Sequence, residues 1–319
     1  MRLFVPAETR DGERRVALVP DTVGKLAALG LDVTIESGAG AAAFATDADY
    51  VEAGATIVAT ADVADAFASA DVVATVRPLD PANAAKLKAG AVAMSFLQPN
   101  SDTETVAAIA SAGATALSFD LVPRISRAQS MDALTSQALV TGYRSTLVAA
   151  EALPKFFPLF MTAAGTIPPA KVLVLGAGVA GLQAIATAKR LGAVVSAYDV
   201  RAASADEVRS MGATFIELEL EALEAGGGYA REMTEERAAR QRELLTPYIT
   251  ASDVLITTAA VPGRQAPRLV TAAMLEGMKP GSVVVDLAAE TGGNVEGSVA
   301  GEEVVIDGVR IWGAKDVAS

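Results

Sequence analysis

The 319 residues contain no cysteine and no histidine. The first absence excludes disulfides, thiolate nucleophiles and cysteine-bound metals, and it is compatible with a reducing compartment. The second removes the commonest general acid–base and the commonest metal ligand together, so no metal site is expected. No basic patch interrupts a formal net charge of −12, which argues against nucleic acid as a partner and reads as solubility. No basic-then-apolar start suggests a signal peptide. The longest apolar region, 147–164, contains Glu151, Lys155 and two prolines, so no membrane span is expected. At 51% hydrophobic and 20% charged, the chain suits two globular domains, each with its own core.

What is present is organised around residues 171–201. Lys171–Leu175 is a short apolar run, too short for a helix and without polar alternation, which predicts a buried strand. Gly176, Gly178 and Gly181 follow at G-x-G-x-x-G spacing with Val179 and Ala180 between them, and helix-forming residues continue to Leu191. A second strand, Val194–Tyr198, closes on Asp199, 18 positions beyond the last glycine. Each glycine has a separate task in such a unit. Gly176 permits the tight turn, Gly178 lets the backbone approach a pyrophosphate, and Gly181 lets helix and strand pack closely. The helix N-terminus offers amides and positive partial charge to the phosphates, and Asp199 accepts hydrogen bonds from a ribose. Asp199 also opposes a 2′-phosphate, which predicts NAD(H) over NADP(H). Val200 adjoins it, and Arg201 reads as a surface or adenine-stacking residue.

The expected fold is α/β, with two doubly wound domains of mostly parallel sheet, the second a Rossmann dinucleotide-binding domain. The boundaries are placed at 1–135 and 136–319, and a long helix over 130–157, ending near Pro154 or Pro158, is expected to link the two domains. In the first domain, strands are expected at 3–6, 33–36, 56–58, 72–76, 92–96 and 115–118. Helices are expected at 21–29, 47–53, 63–70, 82–88 and 103–112, with Asp21 and either Ser101 or Asp102 as caps. The segment 119–132, FDLVPRISRAQSMD, breaks this rhythm at a strand end, where open α/β sheets carry ligands. It gathers Arg124, Arg127, Gln129 and Asp132; the alternative is a solvated connection in which Ser130 caps the next helix. In the second domain, 217–231 is acidic and glycine-rich before Tyr229, which suits either a surface loop or a lid over a ligand. The loops after two further strands, TTAAVPGRQAP with Thr258 and Ala259, and DLAAETGGN, lie where a nucleotide would.

PRISRAQSMD, the glycine fingerprint with its flanks, GGGYAREM, ITTAAVPGRQAP and MKPGSVVVDLAAETGGN together resemble the NAD(H)-binding component of proton-translocating nicotinamide nucleotide transhydrogenases, the soluble part of the alpha subunit. The resemblance runs along the whole chain. PAETRDGERRVALVP is shared with alanine dehydrogenases of the same fold, which are the alternative, together with a non-catalytic NAD(H)-binding subunit. The resemblance implies that Arg124, Gln129 and Asp132 reach the nicotinamide end, with Arg124 and Asp132 as a charge pair and Thr135 supplying a hydroxyl. It assigns Asp199 to the adenosine ribose and Gly228 and Tyr229 to a mobile loop. It also implies NADP(H) on a partner subunit, a membrane subunit that passes protons, a homodimer, and a place on the cytoplasmic face of the inner membrane. Chains of the family continue for several tens of residues, including a helix returning to the first domain. Alanine dehydrogenases handle substrate with a lysine and a histidine; the corresponding strand ends here carry Thr75 and Gln98. An amino-acid dehydrogenase must move a substrate proton, whereas transfer between two nicotinamide rings moves only hydride, so the missing histidine favours the transhydrogenase.

Overall fold

The computed structural model describes residues 1–219, 235–260 and 264–319. It divides into two compact units, Met1–Leu134 with Ser319, and Thr135–Ala318.

In the first unit six strands, β1 (Arg2–Val5), β2 (Asp32–Glu36), β3 (Thr56–Val58), β4 (Val72–Ala74), β5 (Val92–Ser95) and β6 (Thr115–Ser118), pair in the order β3-β2-β1-β4-β5-β6. All pairings are parallel. The helices are α1 (Pro20–Ala28), α2 (Asp47–Glu52), α3 (Val63–Ser69), α4 (Pro81–Ala84) and α5 (Thr103–Ser111). Proline fixes the start of α1: Pro20 sits at the first helical position after Val19, so Asp21 lies in the first turn instead of capping it. Asp102 is the cap of α5, its carboxylate accepting from the Thr105 amide. The expected helix over 82–88 shrinks to the single turn of α4. Phe4, Phe67, Val73 and Ile109 form the core on one side of this sheet, and Val5, Ile35 and Tyr50 the core on the other. Two 3₁₀ turns, Phe119–Leu121 and Ser126–Met131, follow β6. Ser130 lies inside the second of them.

Helix α6 (Ala133–Ala152), almost all of it in the second unit, ends two residues before Pro154, the earlier of the two expected stops, because the residue preceding a proline avoids helical backbone. A short hairpin that the sequence reading missed follows, β7 (Phe160–Thr162) and β8 (Gly165–Ile167). Then come β9 (Lys171–Leu175), α7 (Val179–Arg190), β10 (Val194–Tyr198), α8 (Ser204–Ser210) and β11 (Thr214–Phe215). After residues 220–234 the chain continues with α9 (Glu235–Thr250), β12 (Val254–Thr257), α10 (Ala272–Glu276), β13 (Val283–Asp286), β14 (Glu303–Ile306) and β15 (Val309–Gly313). The sheet order is β11-β10-β9-β12-β13-β15-β14, parallel except for the β14–β15 pair. That last hairpin, also unforeseen, turns on Asp307 (φ 50°) and Gly308 (φ 79°), consecutive left-handed residues that match the twist of a two-residue turn. β12 and β13 are buried along their whole length, as strands covered on both faces must be. Each fully buried Leu, Ile or Val contributes about 1.5–3 kcal/mol relative to exposure. Helix α6 presents Gly142, Ser145, Thr146 and Ala149 to the interior, one face at helical spacing. Gly142 lies so close to α7 that a Cβ there would meet the Ala180 carbonyl oxygen at 2.1 Å.

Candidate dinucleotide site

The second unit's sheet reverses its winding between β9 and β12, and the glycine turn is built at that point. In open α/β sheets such a switch point leaves a crevice at the carboxyl ends of the strands. Gly176 follows β9 with φ 102°, a backbone open to glycine at little cost. A Cβ on it would lie 2.5 Å from the Thr258 hydroxyl, and that hydroxyl donates to the Gly176 carbonyl at 3.0 Å. Thr258 is thus the bolt between the two strand ends. Gly181 is buried against Gly176, where an added Cβ would stand 1.9 Å from the Gly176 oxygen. Gly178 precedes α7 and differs from both: a Cβ there would meet nothing within 4 Å. Two glycines are therefore needed by the protein's own packing, while the third borders open space next to the α7 N-terminus. Helix N-termini of this kind present free amides to anions, and Val179 and Ala180, half-buried in the first turn, flank that open space.

Asp199, at the end of β10, is almost wholly buried. Its Oδ2 accepts from the Ala177 amide at 2.7 Å, and its Oδ1 from the Arg201 amide at 2.8 Å. Arg201 folds back side-on, with Nε 3.0 Å from Oδ1 and Nη2 3.1 Å from Oδ2. Arg201 is consequently not a loose surface residue: it is half-buried and pinned to the acid. Its hydrogen bonds to Asp199 push its pKa further up, with burial opposing. Val200 is half-buried between them.

On the other side of the crevice the sequence reading missed a scaffold. Asp286 ends β13 fully buried. Its carboxylate accepts from the Thr257 hydroxyl, the Ala288 and Asn294 amides and the Val295 amide, at 3.0–3.2 Å. Asn294, also fully buried, accepts from the Ala259 amide at 3.0 Å and donates to the Ala259 and Pro267 carbonyls at 2.8 Å. The loop carrying Thr258 and Ala259 is therefore held from below by DLAAETGGN. An acid ending a strand, as Asp199 does, was the available signal.

In the first unit Arg124 and Gln129 are exposed on the segment after β6, and Asp132 is half-buried, its amide donating to the Gln129 carbonyl at 3.2 Å. Thr135, on α6, is half-buried. Gly228 and Tyr229 lie outside the described residues. Thr75 is buried and donates to the Arg77 carbonyl at 2.7 Å, while Gln98 is exposed with φ 49°. Nearby, Glu13 is out of solvent and binds Arg15 at 2.7 Å and Arg77 at 2.6 Å. Burial opposes its charge, but the hydrogen bonds from Arg15 and Arg77 prevail and lower its pKa to about 2. Glu8 is pushed up by burial, although its oxygens accept from the Val76 and Arg77 amides. Both carboxylates are thus committed to the protein's own donors.

This architecture can be compared with known proteins. The N-terminal domain of the alanine dehydrogenase/PNT family matches residues 4–141, and its C-terminal domain matches 145–319. The chain belongs to the alanine dehydrogenase/PNT family. Within it, the first segment of NAD(P) transhydrogenase subunit alpha from Rhodospirillum rubrum is 49% identical over all of this chain and 85% of its own length. The crystal structure of transhydrogenase from Sinorhizobium meliloti superposes with a TM-score of 0.88 at 45% identity, covering 100% of this chain and 87% of that one. An L-alanine dehydrogenase structure reaches 0.79 at 28% identity, covering 98% and 82%. The family's two-domain α/β fold of mostly parallel sheets is the one described above.

Proposed function

We infer that this chain is the NAD(H)-binding component of the alpha subunit of a nicotinamide nucleotide transhydrogenase, which exchanges hydride between its own NAD(H) and NADP(H) on a partner subunit. One observation carries the reading: the glycine turn before α7, with Asp199 at the next strand end, stands in a chain whose strand ends at Thr75 and Gln98 offer no lysine or histidine to take a substrate proton. Glu8 and Glu13, the nearby carboxylates, are held by protein donors. The greater likeness to transhydrogenases, 42–49% identity against 28–32% for alanine dehydrogenases, supports the same choice.

The cofactor supplies the hydride; the chain supplies position. Gly176, Gly178 and Gly181 with the α7 amides take the pyrophosphate, Asp199 the adenosine ribose, and Thr258 and Ala259 the opposite wall. Arg124, Gln129 and Asp132, with Thr135, are proposed to orient the nicotinamide end. Reacting carbons must approach to about 3–3.5 Å in a site that excludes water. The finer assignments follow from this reading: a separate membrane component couples the exchange to proton passage, and the chain sits peripherally on the cytoplasmic face of the inner membrane. Among the described residues no helix is long and apolar enough to cross a membrane. A homodimer is supported by the apolar side chains exposed on and beside the β7–β8 hairpin, Phe156, Leu159, Phe160 and Met161.

The test is reduction of an NAD analogue by NADPH, with and without a transhydrogenase NADP(H)-binding domain. Turnover only with both proteins supports the proposal. Oxidation of NADH by pyruvate and ammonia with this chain alone would overturn it in favour of the dehydrogenase. Gln129→Asn should slow hydride transfer more than it weakens NADH binding; equal transfer and affinity would remove Gln129 from the positioning set.

A further inference from the structure

At the carboxyl ends of the first unit's strands, neighbouring exits are tied by carboxylates that accept main-chain amides. Glu36, ending β2, takes the Ala7 amide beyond β1 at 2.8 Å. Glu8, beyond β1, takes the Val76 amide beyond β4 at 2.6 Å. Asp120, beyond β6, takes the Gln98 amide beyond β5 at 2.8 Å, and the same oxygen accepts from the Ser118 hydroxyl at 3.0 Å. This third tie differs from the others in what it clamps. Gln98 has φ 49° and precedes Pro99, a left-handed backbone where a following proline favours extended chain, so its surroundings must hold it there. Its carbonyl is fastened as well, by the Ser101 and Asp102 amides at 2.9 and 3.0 Å. The Phe96 and Phe119 rings, with centroids 5.7 Å apart, join the same two strand exits.

Asp120 also stands in the opening turn of the segment 119–132. Within that segment Ala128 alone is buried, while Leu121, Ile125 and Met131 are more than half exposed. Packing therefore fixes little of it, and its place relative to the sheet depends on how its first turn is fastened. We propose, on the transhydrogenase reading of the chain, that Asp120 is a positioning residue for hydride transfer. By clamping the Gln98 amide it sets the register of the turn Phe119–Leu121 and, through the main chain, of Arg124, Gln129 and Asp132 beyond it. The proposed function assigns NADH affinity to the glycine turn and Asp199 of the second unit. Loosening the clamp should therefore act on the rate far more than on binding.

The experiment uses the full chain and measures three things: reduction of an NAD analogue by NADPH with a transhydrogenase NADP(H)-binding domain, NADH affinity by titration, and thermal melting. Asp120→Ala should slow transfer at saturating nucleotide about tenfold or more, with NADH affinity unchanged within about twofold, since a misplacement of about 1 Å costs up to about a hundredfold in rate. Asp120→Asn keeps a carbonyl oxygen able to accept from both donors, so its transfer should stay within about threefold of wild type. Adding Gln98→Gly to Asp120→Ala relieves the left-handed position and should restore melting but not rate. A double variant that regains rate together with melting temperature would show that Asp120 serves stability alone, which overturns the proposal. Wild-type transfer by Asp120→Ala, or a rate loss that merely equals its loss of NADH affinity, overturns it too and leaves the functional reading intact. A wild-type chain that binds NADH but transfers no hydride with the partner domain overturns both. Should Asp120→Ala fail to fold, Asp120→Glu keeps the charge, moves the oxygen by one methylene and is held to the same criterion.

Discussion

Replacing Gly142 by alanine sets two effects of known size against each other. In a helix interior alanine is favoured over glycine by about 1 kcal/mol, because glycine loses more backbone freedom on folding. At Gly142 the new methyl would stand 2.1 Å from the Ala180 oxygen and 2.8 Å from its carbon. Ordinary contact begins roughly 1 Å further out, so α6 and α7 must part by about that much. Parting them also stretches the Thr146 hydroxyl from the Ala184 carbonyl it reaches at 3.2 Å. Overpacking of this kind costs about 1–3 kcal/mol. The net expectation is a loss of up to about 2 kcal/mol, or a fall in Tm of about 2–4 °C per kcal/mol for a unit of this size. NADH binding should suffer further, about fivefold or more, because Ala180 lies in the α7 turn to which the proposed function assigns the pyrophosphate. Gly24→Ala is the control. It sits in α1, where the nearest atom to a new Cβ is the Ala53 oxygen at 3.8 Å, an ordinary contact. There the propensity gain stands alone, and the variant should be more stable by about 0.5–1 kcal/mol. The assay is thermal melting of both variants with and without NADH, beside a direct NADH titration. A Gly142→Ala protein that melts above wild type and binds NADH normally would refute the reasoning, since propensity would then have outweighed the contact.

Other outcomes follow from the same geometry. Gly178→Ala should leave melting within about 0.5 kcal/mol of wild type yet weaken NADH, whereas Gly181→Ala, with its methyl 1.9 Å from the Gly176 oxygen, should damage folding itself; melting and titration separate the two. Asp286→Asn should cost about 2–4 kcal/mol in chemical denaturation, because one oxygen that accepted amides becomes a donor facing them in a fully buried place. Glu13 should make the first unit sensitive to acid. Its folded pKa of about 2 lies below the ordinary 4.5, so its stabilisation is complete above about pH 4.5 and is lost as pH falls towards 2. Glu13→Gln should remove about 3 kcal/mol near neutrality and flatten the stability–pH curve in that window.

The parts legible in sequence were those whose signals are local. Apolar runs of strand length located β9, β10 and β12, and glycine spacing located the turn before α7. The β7–β8 hairpin escaped because three-residue strands leave no periodicity. β14 and β15 were readable in principle, since Asp307-Gly308 lies between two apolar runs. α9 runs through Pro247 to Thr250, although a proline inside a sequence ordinarily marks a helix end, because buried Leu245 and Ile249 anchor its last turn from both sides of the proline. Site geometry that depends on distant pairing was hidden altogether. Nothing around Asp286 announces that Asn294 will reach Ala259, 35 residues back. Arg201 is two residues from Asp199, and only the turn after β10 reveals that it curls onto the acid instead of facing outward.

The Asp286–Asn294 brace also bears on how this chain could be recombined with its relatives. A chimera joined anywhere between 260 and 286 takes Thr257, Thr258 and Ala259 from one parent and the carboxylate and amide that fix them from another. Unless both parents bring the same acid and asparagine in the same register, the nucleotide wall would come from one lineage and its fastening from a stranger. A junction before β12 keeps acceptor and donors in one inheritance, and libraries built on such junctions should yield far more NADH-binding progeny.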